Sequence, residues 1–176
     1  MLFRILVSCF AFSALASCAL ASQDGDEARL ETSMGFFVGH CWNGVFSDEQ
    51  STDVQCFRSV YGGHFVRSNH QVEGALGPYG GETIFSWDAA NSQINYTYWD
   101  TNGGISHGTM MPTISGLSAP DEFYDGADGH QMTIASRWEI LSEDTWRQVV
   151  EEVDDTNRRT LWEITYTRSP LTESPN

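Results

Sequence analysis

The side chains best suited to acid–base, metal or anion chemistry are five histidines, His40, His64, His70, His107 and His130, and nine basic residues, all arginine. A histidine lining a barrel is ordinarily a hydrogen-bonded pocket residue, and no Cys or His pair stands at zinc-ligand spacing, so no metal and no cofactor is assigned. Arg58 and Arg67 lie in the middle of extended runs. Facing inward, each needs a carboxylate or an anionic ligand, because burying an unpaired guanidinium is costly; facing outward, they are solvated charges. Gly104-Ile-Ser106-His-Gly108 matches G-x-S-x-G. A nucleophile elbow needs strand, sharp turn and helix, followed by an acid and a His. Here the match opens a strand after a hairpin turn and only His130 follows, so it is read as a turn and a strand serine. Asp121, Asp125 and Asp128 lack the spacing and terminal Glu of a calcium loop and are read as solvated.

Those side chains are positioned by short alternating runs. Phe36–Phe46, Val54–Tyr61, His64–Val72, Thr83–Trp87, Gln93–Trp99, Ile105–Met111, Gln131–Ile140, Thr145–Val153 and Arg159–Arg168 read as strands separated by turn signals. Residues 112–129 read as a loop with one short strand at Glu122–Tyr124. Only Asp24–Met34 reads as helix, with Asp24 and Glu27 spaced as a capping box. Sequential hairpins without crossover helices predict an all-β fold, an antiparallel up-and-down barrel of about 8–10 strands with a short N-terminal helix. The alternation turns Phe36, Val38, His40, Trp42 and Phe46 to one face. Ile94, Tyr96 and Tyr98 share another, as do Met132, Ile134, Ser136, Trp138 and Ile140, and Trp162, Ile164, Tyr166 and Arg168. These apolar, aromatic faces are expected inside.

Composition limits the partners. The formal net charge is −15 and there is no lysine. That excludes Schiff-base and P-loop lysine chemistry and argues against nucleic acid, whose phosphates require clustered cations. Met1–Arg4 and the apolar run Ile5–Ala16 read as an export leader too short to span a bilayer. Two processing sites compete. Ala19-Leu20-Ala21 gives a signal peptide of residues 1–21; Leu15-Ala16-Ser17-Cys18 gives a lipoprotein signal of residues 1–17, with Cys18 lipidated and serving as the only membrane attachment. Residues 22–35 form a linker with the helix, 36–168 the barrel and 169–176 a frayed tail. The location implied is outside the cytoplasm, periplasmic or anchored to the outer membrane of a bacterium. Cys41 and Cys56 flank a polar stretch centred on Asp48-Glu49, which would pair them across a hairpin as a disulfide contributing ~3 kcal/mol. Two free buried thiols are the alternative.

Gly39-His-Cys-Trp42-Asn-Gly44, Cys56-Phe-Arg58, Tyr61-Gly-Gly-His64-Phe-Val-Arg67, Gly80-Gly-Glu-Thr83 and Tyr98-Trp-Asp100 resemble a lipocalin-like domain family, mostly exported bacterial proteins of unknown function. The resemblance spans about Phe36 to Arg168. It implies a calycin-type barrel with an interior cavity and no assigned activity. The lipocalin mark is Gly-x-Trp; here it is Gly39-x-x-Trp42. The resemblance also implies a last-strand Arg over that Trp, for which Arg168 is the candidate. Tyr166-x-Arg168 has, in reverse order, the separation of the carboxylate-holding pair of fatty-acid-binding barrels. Haem-binding relatives carry a late axial His, and this chain has none after His130.

Three functions follow. The first is a binding protein that holds a small apolar or amphipathic molecule, with His40, Trp42, Arg58, His64, Tyr96, Tyr98, Trp138, Tyr166 and Arg168 as the candidate ligand-binding residues and no catalytic residue assigned. The second is a barrel isomerase, cyclase or hydrolase using His40 or His64 with an acidic partner inside one pocket. The third is a structural envelope lipoprotein with a solid core.

Overall fold

A computed structural model describes Gly25 and residues 29–75, 77–154 and 157–169. The leader, Cys9, Cys18, the proposed capping box and the tail beyond Ser169 lie outside the described residues. Residues 29–34 form the helix α1. Ten strands follow: β1 (Cys41–Phe46), β2 (Ser51–Val60), β3 (Phe65–Gly74), β4 (Tyr79–Asp88), β5 (Gln93–Asp100), β6 (Ile105–Thr113), β7 (Gly116–Asp125), β8 (Gln131–Ser142), β9 (Thr145–Val153) and β10 (Arg158–Ser169). Each pairs antiparallel with its chain neighbours and β1 pairs with β10, so the sheet closes as the up-and-down barrel the hairpin pattern predicts. Closure leaves no unpaired edge. Among the described residues no helix is long and apolar enough to cross a membrane.

Two boundaries differ from the sequence reading. Phe36 to Gly39 form turns, and the strand starts only at Cys41. Gly39, at φ +81°, reverses the chain, and its amide bonds the Phe57 carbonyl at 2.9 Å. The stretch read as loop contains all of β7. Pro120 sits inside it, at the register shift between Ala119 and Glu122, where a residue without an N–H removes no ladder bond. The bulge also changes parity: Leu117 and Ala119 are buried before it, and Glu122 and Tyr124 face the interior after it.

Cys41 and Cys56 occupy paired positions on β1 and β2 and form the disulfide. It closes a 15-residue separation, for which loop entropy sets a contribution of about 3 kcal/mol.

The barrel has two unlike ends. At one, Leu30 and Met34 of α1 and the following Phe37 are fully buried. Phe37 lies 5.1–5.4 Å from the rings of Phe57, Trp138 and Trp146. Trp42, also fully buried, donates its indole N–H to the Phe37 carbonyl at 3.3 Å. These rings plug the end. Gly77 and Pro78 before β4, Asn102 between β5 and β6, and Trp162 early in β10 lie toward the other end, the mouth.

Candidate functional site

Above the plug the barrel encloses a cavity of about 580 Å³. Its apolar wall comes from alternating inward positions: Phe46 on β1, Val72 on β3, Phe85 on β4, Ile134 on β8, Val150 on β9 and Ile164 on β10. Gly77, Pro78 and Asn102 carry the lining to the mouth, where Trp162 is 38% exposed.

Of the nine residues singled out from the sequence, Tyr96, Tyr98, Trp138 and Tyr166 line this cavity. The other five are placed elsewhere. Trp42 is in the plug. His40, just before β1, is half-buried edge-on to Trp42, their ring centroids 6.0 Å apart. Burial lowers its pKa and the Arg168 charge adds to this, against a smaller opposing effect of Asp144. Arg168 closes the same end, its guanidinium 5.1 Å above the Trp42 ring and 2.6 Å from the Glu143 carbonyl. The Arg-over-Trp contact expected from the resemblance is therefore present. Tyr166 and Arg168 do not act as a pair, because each engages different partners. Arg58 is exposed on the outside of β2, and His64 is exposed after a 3-10 turn. Ser106 faces inward on β6 and donates to the Glu122 carboxylate, so its hydroxyl is not a nucleophile beside a His. Among the described residues no group of three His, Cys, Asp or Glu could hold a metal ion.

Two polar clusters interrupt the apolar wall. The first spans five strands, β2, β3, β4, β5 and β10. Asp53 on β2 is 1% exposed. It accepts the Tyr166 hydroxyl at 2.6 Å and lies 3.2 Å from His70 Nδ1. The other ring nitrogen, His70 Nε2, is 2.9 Å from the Tyr98 hydroxyl, which is 2.6 Å from that of Tyr79 near the mouth. The second cluster is Glu122 on β7, which accepts from Tyr96 at 2.8 Å and from Ser106. Glu122 lines the cavity, and burial raises its carboxyl above the ordinary value of 4.5; the bonds from Ser106 and Tyr96 oppose this. Burial likewise pushes the Tyr79 hydroxyl up to about 12 and raises Tyr96, Tyr98 and Tyr166, so all stay protonated at neutral pH.

Glycines on neighbouring strands set these hydroxyls. Tyr166 pairs with Gly44, and a Cβ there would lie 2.6 Å from a Tyr166 ring carbon. A Cβ at Gly81 would lie 2.5 Å from Tyr98 Oη. In the row Tyr96, Gly108, Glu122 across β5, β6 and β7, a Cβ at Gly108 would stand 2.8 Å from Tyr96 Oη. Tyr96 reaches Glu122 only because Gly108 lacks a side chain. Gly108→Ala is therefore expected to cost about 1–3 kcal/mol by displacing the hydroxyl from its acceptor. In urea unfolding that cost should shrink when Tyr96→Phe is already present; an equal cost in both backgrounds would place the clash elsewhere.

Asp53, His70, Tyr79 and Glu122 are not among those nine ligand-binding candidates, although His70 is one of the five histidines the sequence offers for acid–base chemistry. His70 shares strand parity with the buried Val66, Ser68 and Val72, and Asp53 with Gln55 and Phe57, which is the signal that places both inside. No protein-family profile matches the chain, and no curated protein matches it.

Proposed function

We propose that this protein is an exported binding protein that holds a small apolar or amphipathic molecule within its barrel. The observation that carries this reading is the cavity itself. It is plugged at one end, leads to the mouth at the other, and has apolar walls broken by two convergent polar clusters. The driving force is removal of ligand surface from water, worth ~25 cal/mol per Å² of apolar area. The polar clusters fix which end of the ligand enters first.

Export is supported by the Cys41–Cys56 disulfide, a bond that persists in oxidising compartments. Release at Ser22 and lipid attachment at Cys18 remain the two forms of that proposal. Membership of the lipocalin-like family accords with it, supported by the closed barrel and the Arg168–Trp42 contact.

Trp138 in the cavity wall and Trp162 at the mouth report occupancy. Titration with medium-chain amphiphiles of neutral, cationic and anionic headgroup is expected to change tryptophan emission saturably for at least one of them. No saturable change with any would reject the reading in favour of a structural envelope protein.

A specific observation favours one second reading, an acid–base enzyme. A histidine held by a buried carboxylate and bonded to a tyrosine hydroxyl stands in one pocket, as proton-transfer catalysis needs. The histidine is His70 rather than His40 or His64. Recovery of a chemically altered ligand after incubation, lost in His70→Asn, would establish it; unaltered ligand would exclude it.

A further inference from the structure

Hydrogen-bond direction inside the cavity restricts what the ligand can offer. A carboxylate only accepts, so the proton between His70 and Asp53 is on Nδ1. In the neutral ring Nε2 is then a lone pair, and the Tyr98 hydroxyl donates to it. Tyr98 has no second proton, so its oxygen accepts from Tyr79. Tyr166 donates to Asp53, Tyr96 and Ser106 to Glu122, and Tyr124 to Asp100 at 2.9 Å. Every one of these hydroxyl protons is committed to a protein acceptor. What these two clusters leave for a ligand is lone pairs, those of Tyr79, the unused ones of Glu122, and Gln55 Oε1; the donors in the lining, the Thr83 and Ser136 hydroxyls and the Asn102 and Gln148 amides, belong to neither cluster.

Gln55 gives an independent indication. It is 7% exposed and lines the cavity. Its Nε2 donates to Ser68 at 2.9 Å, while Oε1 is buried with no partner. A buried acceptor without a donor is costly unless something fills it. The Trp138 indole N–H, in the same lining, is also buried without a partner. Among the described residues no arginine lines the cavity, and the chain contains no lysine. Among the described residues the lining thus holds two carboxylates and no fixed positive charge.

Taking the cavity-binding reading as its basis, we propose that the ligand is an organic cation, an amphiphile whose ammonium group is received by Glu122 and the acceptors around Asp53 and Gln55. An ammonium brings donors to the acceptors of the two clusters and balances the buried acid, and the tyrosine and tryptophan faces add cation–π attraction. A carboxylate ligand would enter beside two acids, and the one histidine in the lining is already bonded to Asp53. The acidic surface draws cations toward the mouth. This departs from the anionic headgroup that an Arg58 or Arg168 site would select, since both arginines are outside the cavity lining.

Decylamine, decanol and decanoate share a chain and differ only in headgroup. Titrated against the intact protein by tryptophan emission, at salt high enough to screen the surface charge, decylamine is expected to bind on the order of tenfold or more tighter than decanol. Decanoate is expected to bind weakest. Glu122→Gln and Asp53→Asn should each narrow the amine-to-alcohol ratio. If decanol or decanoate matches decylamine, or the ratio is unchanged in both variants, the cation assignment falls while the cavity-binding reading stands. If none of the three binds saturably, the cavity-binding reading falls and takes the assignment with it.

Discussion

Trp146→Ala lowers the unfolding free energy by about 3–5 kcal/mol, the range for removing a buried tryptophan from a core. Trp146 is fully buried on β9 and is the common neighbour of the plug. Its ring stacks on Tyr166 with centroids 4.1 Å apart and planes 6° from parallel. It also lies 5.1 Å from both Phe37 and Trp138 and 6.3 Å from Trp42. Alanine would leave a void among large rings held by different strands, which cannot all collapse into it. One term works the other way. The Trp146 indole N–H is buried without a partner, and its removal returns on the order of 1 kcal/mol. The lower half of the range is therefore expected. Tyr166 would lose its stacking surface, and the cavity network would loosen at Asp53. Urea unfolding by circular dichroism measures the loss. A change under about 1 kcal/mol would mean that the plug repacks and is not a rigid floor.

Strand periodicity made the barrel legible because a closed sheet with an apolar interior forces period-two alternation, and β5, β8 and β10 obey it. The inward sets Ile94, Tyr96, Tyr98 and Met132, Ile134, Ser136, Trp138 could be read directly, and so could the Cys41–Cys56 register. β7 could not, because Pro120 and the parity change at its bulge erase the pattern on which the reading depends. The polar half of the site was hidden for another reason. Aspartate, histidine and glutamate in a strand resemble a solvated face. Only their parity with buried neighbours, or the tyrosines that lean across Gly81 and Gly108 to meet them, shows otherwise. Trp42 and Arg168 had the expected partner in each other, yet they serve the plug. Alternation within a strand reports the face of a residue but not its height along the barrel. The height depends on how far α1 and Phe37 fill the end, a non-local packing result.

Glu122→Gln should stabilise the ligand-free protein at neutral pH while weakening its hold on a cation. Burial raises the Glu122 carboxyl above 4.5, so over an interval above that pH the native state keeps a proton that the unfolded chain has lost. Glu122 accordingly contributes its stability in full below about pH 4.5 and withdraws it as pH climbs through the raised value. Glutamine has no proton to lose, and its amide can still meet the Tyr96 and Ser106 hydroxyls, which rotate to donate or accept. The variant should match the wild type in acid and exceed it near pH 7. The scale is on the order of 1–3 kcal/mol, that of a buried polar group relieved of an unfavourable state. Urea midpoints at a series of pH values test this; parallel curves for the two proteins would mean that Glu122 is solvated as well in the barrel as in the unfolded chain. Decylamine reverses the order, because an ammonium stabilises the ionised carboxylate that only the wild type can supply, so added amine should raise the wild-type midpoint more than that of the variant. A carboxyl that destabilises the empty barrel and stabilises the filled one is a residue kept for its ligand, and the crossing of those two midpoints on titration with amine is the result expected of a binding site rather than of a core.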